Sequence, residues 1–360
     1  MKSIPLIRAS YVYPTTSLLA ERGAPVCPMI KEAGLPSIVL ELSDEFVPQL
    51  GARRLMELAY TRWGMTDVGL EAARRLDRAT LSPLVSAMAG APTMHAALEA
   101  LCPAIAADNT HARYWVVRDA DVSWICRHAS LFDVAKAQAE ICAAVVLVRL
   151  LRELLGSRWR PARMRLAAAA DPDLESVEEF RGCQVELGAP FTALAVPSTL
   201  VPRTTVRAED REPRERESAP TSPLNALQTL LRPYLREAYL RIDLAADAMG
   251  TSARTLQRRL SQQGLNYSEV VDRARFDLAV ERLMDPDAKI TDIAYDLGFK
   301  DPGSFSRTFK RLSGLSPREF RRARHVEIAD DAASEHGTRV TPFGEAHAWR
   351  NMDLRTGPAR

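Results

Sequence analysis

One helical unit is written twice in the last third of this chain. Ile242-x-x-x-Ala246-x-x-x-Gly250 returns 48 residues later as Ile290-x-x-x-Ala294-x-x-x-Gly298. Leu256-x-Arg258-x-Leu260 returns at offset 49 as Phe305-x-Arg307-x-Phe309, and Gly264-Leu265 at offset 50 as Gly314-Leu315. Recurrence at a nearly fixed period means one supersecondary unit built in two copies. In each copy a short helix centred on a small residue runs into a glycine, and a second helix starts a few residues on. The small residue lets two helices approach closely, and the glycine tolerates a sharp turn. This is the layout of a helix-turn-helix, whose second helix is delivered to the major groove of DNA. Ordinary helical bundles also contain such hairpins, so the polar faces must decide.

At about 100° per residue, Leu256 and Leu260 share one side of the first of these second helices. Arg254, Gln257, Arg258 and Ser261 share the other, with Thr255 in the same helix. In the other copy Phe305, Phe309 and Leu312 form the apolar stripe, while Ser304, Ser306, Arg307, Lys310 and Arg311 supply the polar residues. Residues 252–263 and 303–324 together hold ten Lys/Arg and a single acid, Glu319. A merely solvated face would mix both signs. Arg and Gln are also the side chains whose paired groups match guanine and adenine edges. The expected recognition helices are therefore 252–263 and 303–312. Between them, Ser268–Leu283 has the spacing of an amphipathic helix (Val270, Val271, Ala274, Leu278) able to hold the copies in fixed relation. Second helices about one DNA turn apart, roughly 34 Å, would reach two successive major grooves.

The net charge of +2 over 360 residues hides this concentration. Residues 1–206 are balanced at 22 basic and 22 acidic side chains, whereas 224–324 carry 18 against 13. Residues 207–223 alternate charges and contain three prolines with almost no apolar residue, so they read as an exposed linker. Residues 325–360 lack periodicity and read as a disordered tail. Before the linker, Gln49–Gly64, Thr93–Leu101 and Phe132–Leu155 have helical spacing. Tyr114–Arg127 reads as a hairpin turning at Asp119-Ala-Asp121, and Arg163–Ala168 and Phe191–Val196 as short strands. The expectation is a multi-domain chain: an α+β effector-sensing or dimerisation domain over 1–206, a linker, and an all-α double helix-turn-helix domain over 224–324.

The residues of the second domain resemble the DNA-binding domain of the AraC/XylS family of bacterial transcription regulators. The most specific carriers are Ser252-Ala-Arg-Thr-Leu-Gln-Arg-Arg-Leu260 and the run from Ile293-Ala294 through Gly298-Phe299, Asp301-Pro302, Ser304-Phe-Ser-Arg307 and Phe309-Lys-Arg311 to Pro317 and Arg321. The resemblance implies that Arg254, Gln257 and Arg258 read bases, that Arg307 is the family's second-helix arginine, and that Lys310 lies near phosphates. Pro302 and Gly303 stand where some members carry glutamines, which implies that the second helix makes mainly backbone contacts. Residues 60–203 are similar to the sensor domain labelled arabinose-binding-like. The carriers there are Gly64–Glu71 and Phe180-Arg-Gly-Cys183 with Gly188-Ala-Pro-Phe-x-Ala-Leu194. This portion reads as helices plus sheet rather than a jelly roll, and a sugar ligand is not supported. What the resemblance implies is a cytoplasmic, effector-responsive activator whose partners are double-stranded promoter DNA, RNA polymerase, an unidentified small effector and a second copy of itself.

Rival readings find less support. His95, His111 and His128 with Cys102 or Cys126 could be imagined as base and nucleophile, but no Gly-x-Ser-x-Gly elbow, phosphate-cradling glycine loop or His-Glu-x-x-His occurs. No enzyme, cofactor or metal is expected. Trp115 and Trp124 could line an effector pocket, although hairpin aromatics are more often core. Cys142 and Cys183 are weighed as redox sensors. Five cysteines without a Cys-x-x-Cys pair read as free thiols of a reducing compartment. The longest apolar run, Ile141–Val148, is far short of the ~20 residues a bilayer needs, and Pro5 and Arg8 spoil the start as a secretory signal. The remaining alternative for residues 1–206 is a ligand-free dimerisation module.

Overall fold

A computed structural model of the protein describes residues 4–129, 134–168, 174, 177–200, 220, 222–235 and 241–322. The expected tail, and the expected linker but for residues 220, 222 and 223, lie outside the described residues. The described residues divide between two compact units. One is Met1–Pro233 with Asp243–Thr251, the other Tyr234–Ile242 with Ser252–Arg360.

The first unit is α+β. Strand β1 (Leu6–Arg8) pairs antiparallel with β2 (Phe46–Pro48), and helices α1 (Tyr13–Glu21) and α2 (Val26–Ala33) lie between them in sequence. Helices α3 (Gln49–Trp63), α4 (Val68–Arg75), α5 (Arg78–Met88) and α6 (Met94–Asp108) come next. Then comes the expected hairpin, β3 (Arg113–Asp119) and β4 (Val122–His128), reversing through Ala120 at φ +48°. After α7 (Lys136–Leu155), strands β5 (Arg163–Leu166), β6 (Gln184–Leu187) and β7 (Thr192–Pro197) complete a sheet of order β3-β4-β7-β5-β6. Only the β5–β6 pairing in this sheet is parallel.

Sequence explains the order. Thr-Ala-Leu-Ala-Val of β7 is buried at every position, as a central strand must be. Gln-Val-Glu-Leu of β6 is largely exposed and sits at the edge. Because that strand has no inward stripe, periodicity did not reveal it. The helix expected at Thr93–Leu101 runs on to Asp108 through Pro103, because Leu98, Leu101 and Ile105 keep one buried face across the proline. The helix expected from Phe132 begins at Lys136 and ends where expected; Phe132 itself lies outside the described residues. Its inward stripe, including Ile141, Val145, Val148 and Leu151, meets Leu84, Leu98 and Leu194 in one core cluster.

Beyond residue 222 the described residues form helices α8 (Pro223–Leu235), α9 (Ile242–Ala248), α10 (Ala253–Ser261), α11 (Tyr267–Leu283), α12 (Ile290–Asp296) and α13 (Pro302–Ser313), with a further helical stretch at 317–322. In the second unit Phe276, Ile293, Leu297, Phe305 and Phe309 form a core, with Phe320 packed against it. Phe309 is its hub, 4.9 Å from Phe276 and 5.4 Å from Phe320 between ring centroids.

Candidate nucleic-acid interface

The two sequence copies are also two copies in backbone geometry. After α9 the Thr251 N–H donates to Ala246 O at 2.9 Å, and after α12 the Phe299 N–H donates to Ala294 O at 3.0 Å. Gly250 and Gly298 carry the reversal at φ +62° and +74°, a region that penalises any side chain with a Cβ. Each next helix then starts on a polar cap. Ser252 Oγ accepts the Thr255 N–H at 3.3 Å, and Asp301 Oδ1 accepts the Ser304 N–H at 2.8 Å. Pro302 occupies the first turn of α13, where a missing N–H costs nothing.

The caps set where α10 and α13 begin, and burial of their apolar stripes sets which side chains face out. Leu256 and Leu260 of α10 are fully buried, which turns Arg254, Gln257, Arg258 and Ser261 outward, and all four are exposed. Thr255 is half-buried and shares a 2.9 Å hydrogen bond with Ser252. On α13, burial of Phe305 and Phe309 leaves Arg307, Lys310 and Arg311 on the outer side. Ser304 and Ser306 are half-buried. The Ser306 hydroxyl donates to Pro302 O at 2.9 Å, and the Ser304 hydroxyl to Asp301 at 2.7 Å, with Arg307 donating to Ser304 at 2.9 Å. Hydrogen bonds from Ser304, and then the nearby Arg307 charge, hold the Asp301 carboxyl below its ordinary range. Glu319 is drawn into a cap with Ser316, whose N–H it accepts at 2.8 Å, so its charge serves the 317–322 helix.

Rival sites lose their chemistry. His95 Nδ1 lies 3.1 Å from Ser123 Oγ, but Ser123 is fully buried in β4, where no substrate could reach it. Burial, with the Arg53 and Arg127 charges, pushes His111 down to about 4. Burial raises Cys142 and Cys183 to about 11, so neither is a ready thiolate, against the redox reading. Trp115 packs edge-on to Phe191 at 5.3 Å and Trp124 lies under Arg163 and Arg165; both are half-buried and neither lines the cavity of their unit. Among the described residues no helix is long and apolar enough to cross a membrane, and no group of three or more His, Cys, Asp or Glu is placed to hold a metal.

That cavity, of about 120 Å³, is lined from β1, α1, α3–α7 and the hairpin by Tyr11, Gln49, Arg53, Met56, Tyr114 and Arg127 among others. Sequence reading passed over Gln49 and Arg53. Nothing in the spacing of α3 marks these two polar side chains as buried; the structure leaves each only 4% exposed.

Two capped helices with outward basic faces, each delivered by the same glycine turn, define a DNA-binding regulator of the double helix-turn-helix class. Residues 245–323 match the family described as helix-turn-helix domain, and residues 23–204 match the arabinose-binding domain of AraC transcription regulators, N-terminal. The chain belongs to the AraC family of transcription regulators, with an N-terminal effector-binding domain and a C-terminal helix-turn-helix DNA-binding domain. It is 26% identical over 338 residues to the HTH-type transcriptional regulator VirS of Mycobacterium tuberculosis, covering 88% of this chain and 96% of VirS. Similarity to the HTH-type transcriptional activator RhaS of Escherichia coli is local, 42% over 83 residues, or 23% of this chain and 30% of RhaS. Among solved structures, the transcriptional regulator CdpR of Pseudomonas aeruginosa aligns with 82% of this chain and 97% of its own at 21% identity and a TM-score of 0.35. These relatives are named as regulators, none as an enzyme.

Proposed function

We propose that this protein is a cytoplasmic, effector-responsive transcription activator that reads two successive major grooves of a promoter with α10 and α13. Its working division is a sensing domain over 1–206, a linker over 207–223, a DNA-binding domain over 224–324 and a tail over 325–360. Arg254, Thr255, Gln257, Arg258 and Ser261 meet DNA from the first helix, and Ser304, Ser306, Arg307, Lys310 and Arg311 from the second. The observation that carries this reading is the pairing of identical turn geometry with an outward basic face in both copies. Effector binding or self-association alters how two such domains are presented to adjacent half-sites and to RNA polymerase. Activation is favoured by the local similarity to RhaS, which is named an activator.

Hydroxyl-radical footprinting on a bound promoter tests the two-groove reading. Protection should fall in two patches on one face of the duplex, about one helical turn, roughly 34 Å, apart. A single patch of half that extent would reject α13 as a DNA-contacting helix.

A further inference from the structure

The cavity of the N-terminal unit keeps one positive charge that the protein does not neutralise. Its other charged groups are already committed. Asp108 accepts from Arg8 Nε at 2.5 Å and from the Tyr11 hydroxyl at 2.9 Å. Arg127 is ion-paired with Glu140 and donates to the Tyr114 hydroxyl at 3.1 Å, while the second Glu140 oxygen accepts from Thr192 at 2.7 Å. Arg53 differs. It is only 4% exposed, its guanidinium donates to Ala135 O at 3.3 Å, and among the described residues no carboxylate lies within ion-pair distance of it. Burial, and next the charge of Arg127, pulls its pKa down to about 10, so it is nevertheless a cation at neutral pH.

A second polar group sits beside it. Gln49 precedes Arg53 by one turn on α3, is also 4% exposed and lines the same cavity, and its side-chain oxygen has no hydrogen-bond partner. The rest of the wall is largely aliphatic, with Met56, Leu84, Val146 and Leu147 among its residues. An apolar cavity of about 150 Å³ takes a benzene, so about 120 Å³ accommodates roughly five or six heavy atoms.

We propose that this cavity binds a small monocarboxylate with an apolar body, its carboxylate ion-paired to Arg53 and its body against Met56 and Val146, the Gln49 oxygen being free to accept from a hydroxyl or N–H carried on that body. One uncompensated cation calls for one anionic charge, and an aliphatic wall calls for a body with few polar groups. A neutral polyhydroxylated sugar meets neither requirement, whatever the family's domain label suggests. The inference rests on the reading of this domain as effector-binding.

Calorimetric titration of the full chain with butyrate and isobutyrate, against 1-butanol and isobutanol, tests it. The carboxylates should bind about ten- to a hundredfold tighter than the alcohols of the same size. Arg53→Met, which fills the space without a charge and removes an unpaired buried cation, should bring carboxylate affinity down to the alcohol level. Arg53→Lys should restore part of it, and Gln49→Leu, which removes an unpartnered acceptor, should not lower it. Equal affinity for carboxylates and alcohols, an Arg53→Met protein that keeps the preference, or no binding of either class each overturns the proposal. The effector reading fails separately: a carboxylate that binds through Arg53 but leaves promoter affinity unchanged would retain the site and remove its regulatory role.

Discussion

The two recognition helices share a turn, a cap and an apolar stripe, yet they hold their polar side chains differently. On α10, the side chains of Arg254 and Arg258 form no hydrogen bond or ion pair with any other described residue. On α13, Arg307 is tethered to Ser304 and through it to Asp301, and Arg311 reaches Asp272 of α11 at 2.6 Å. One helix offers uncommitted donors and the other a braced set. Duplication of a fold unit therefore does not duplicate how its side chains are held, and under the proposed function that difference would suit α10 to base edges and α13 to the backbone.

The harshest way to break this comparison is to remove the hub of the second copy. Phe309→Ala should cost about 3–5 kcal/mol in urea unfolding of the helical unit. In footprinting it should erase the α13 patch before the α10 patch; simultaneous loss would mean the copies do not act separately. Next comes Arg258→Ala, expected to cost about 1–3 kcal/mol of binding and to relax discrimination at one base pair. Arg307→Ala should instead weaken binding to every sequence alike, as measured by gel shift on single-base promoter variants. Ser252→Ala should lower stability by about 1 kcal/mol through loss of the α10 cap. Lys310→Ala should have a smaller effect still, flattening the plot of log affinity against log salt by about one unit at unaltered specificity.

Acid sets the two caps apart more gently. Asp301 titrates below its ordinary value when folded, so the stability it lends α13 is full above about pH 4 and is lost as pH falls through the folded value. The Ser252 cap has no such dependence. Circular dichroism of wild type and Asp301→Asn at decreasing pH should show a smaller acid-side loss in the variant, the remainder coming from other lowered carboxylates such as Glu319.

How much was legible in the sequence depends on how local each feature is. The DNA face is written within single helices: the 3.6-residue period that buries Leu256 and Leu260 necessarily turns Arg254 and Arg258 away from the core, and both helix expectations were met to within a few residues. The hairpin was equally readable, since Asp119-Ala-Asp121 marks its own turn. The cavity was not. Its charge arithmetic depends on Asp108 meeting Arg8 across 100 residues and on Glu140 reaching both Arg127 and Thr192. No periodicity encodes such pairings. Arg53 in isolation looks like any surface arginine, until the other cavity arginine is seen to be paired and Arg53 is not.

The free arginines of α10 have a kinetic and entropic consequence. A buried long side chain gives up as much as about 1.5–2 kcal/mol of rotamer freedom, and Arg254 and Arg258 retain theirs until they meet DNA. Under the proposed reading, bidentate bonds to base edges of a matching promoter repay that ordering, whereas on a mismatched one the side chains stay loose. The braced side chains of α13 are ordered by the fold before any duplex is met. A protein reading DNA in this way would have a quick grip in one helix and a slow, discriminating one in the other, and residence time rather than encounter rate would separate promoter from bulk DNA.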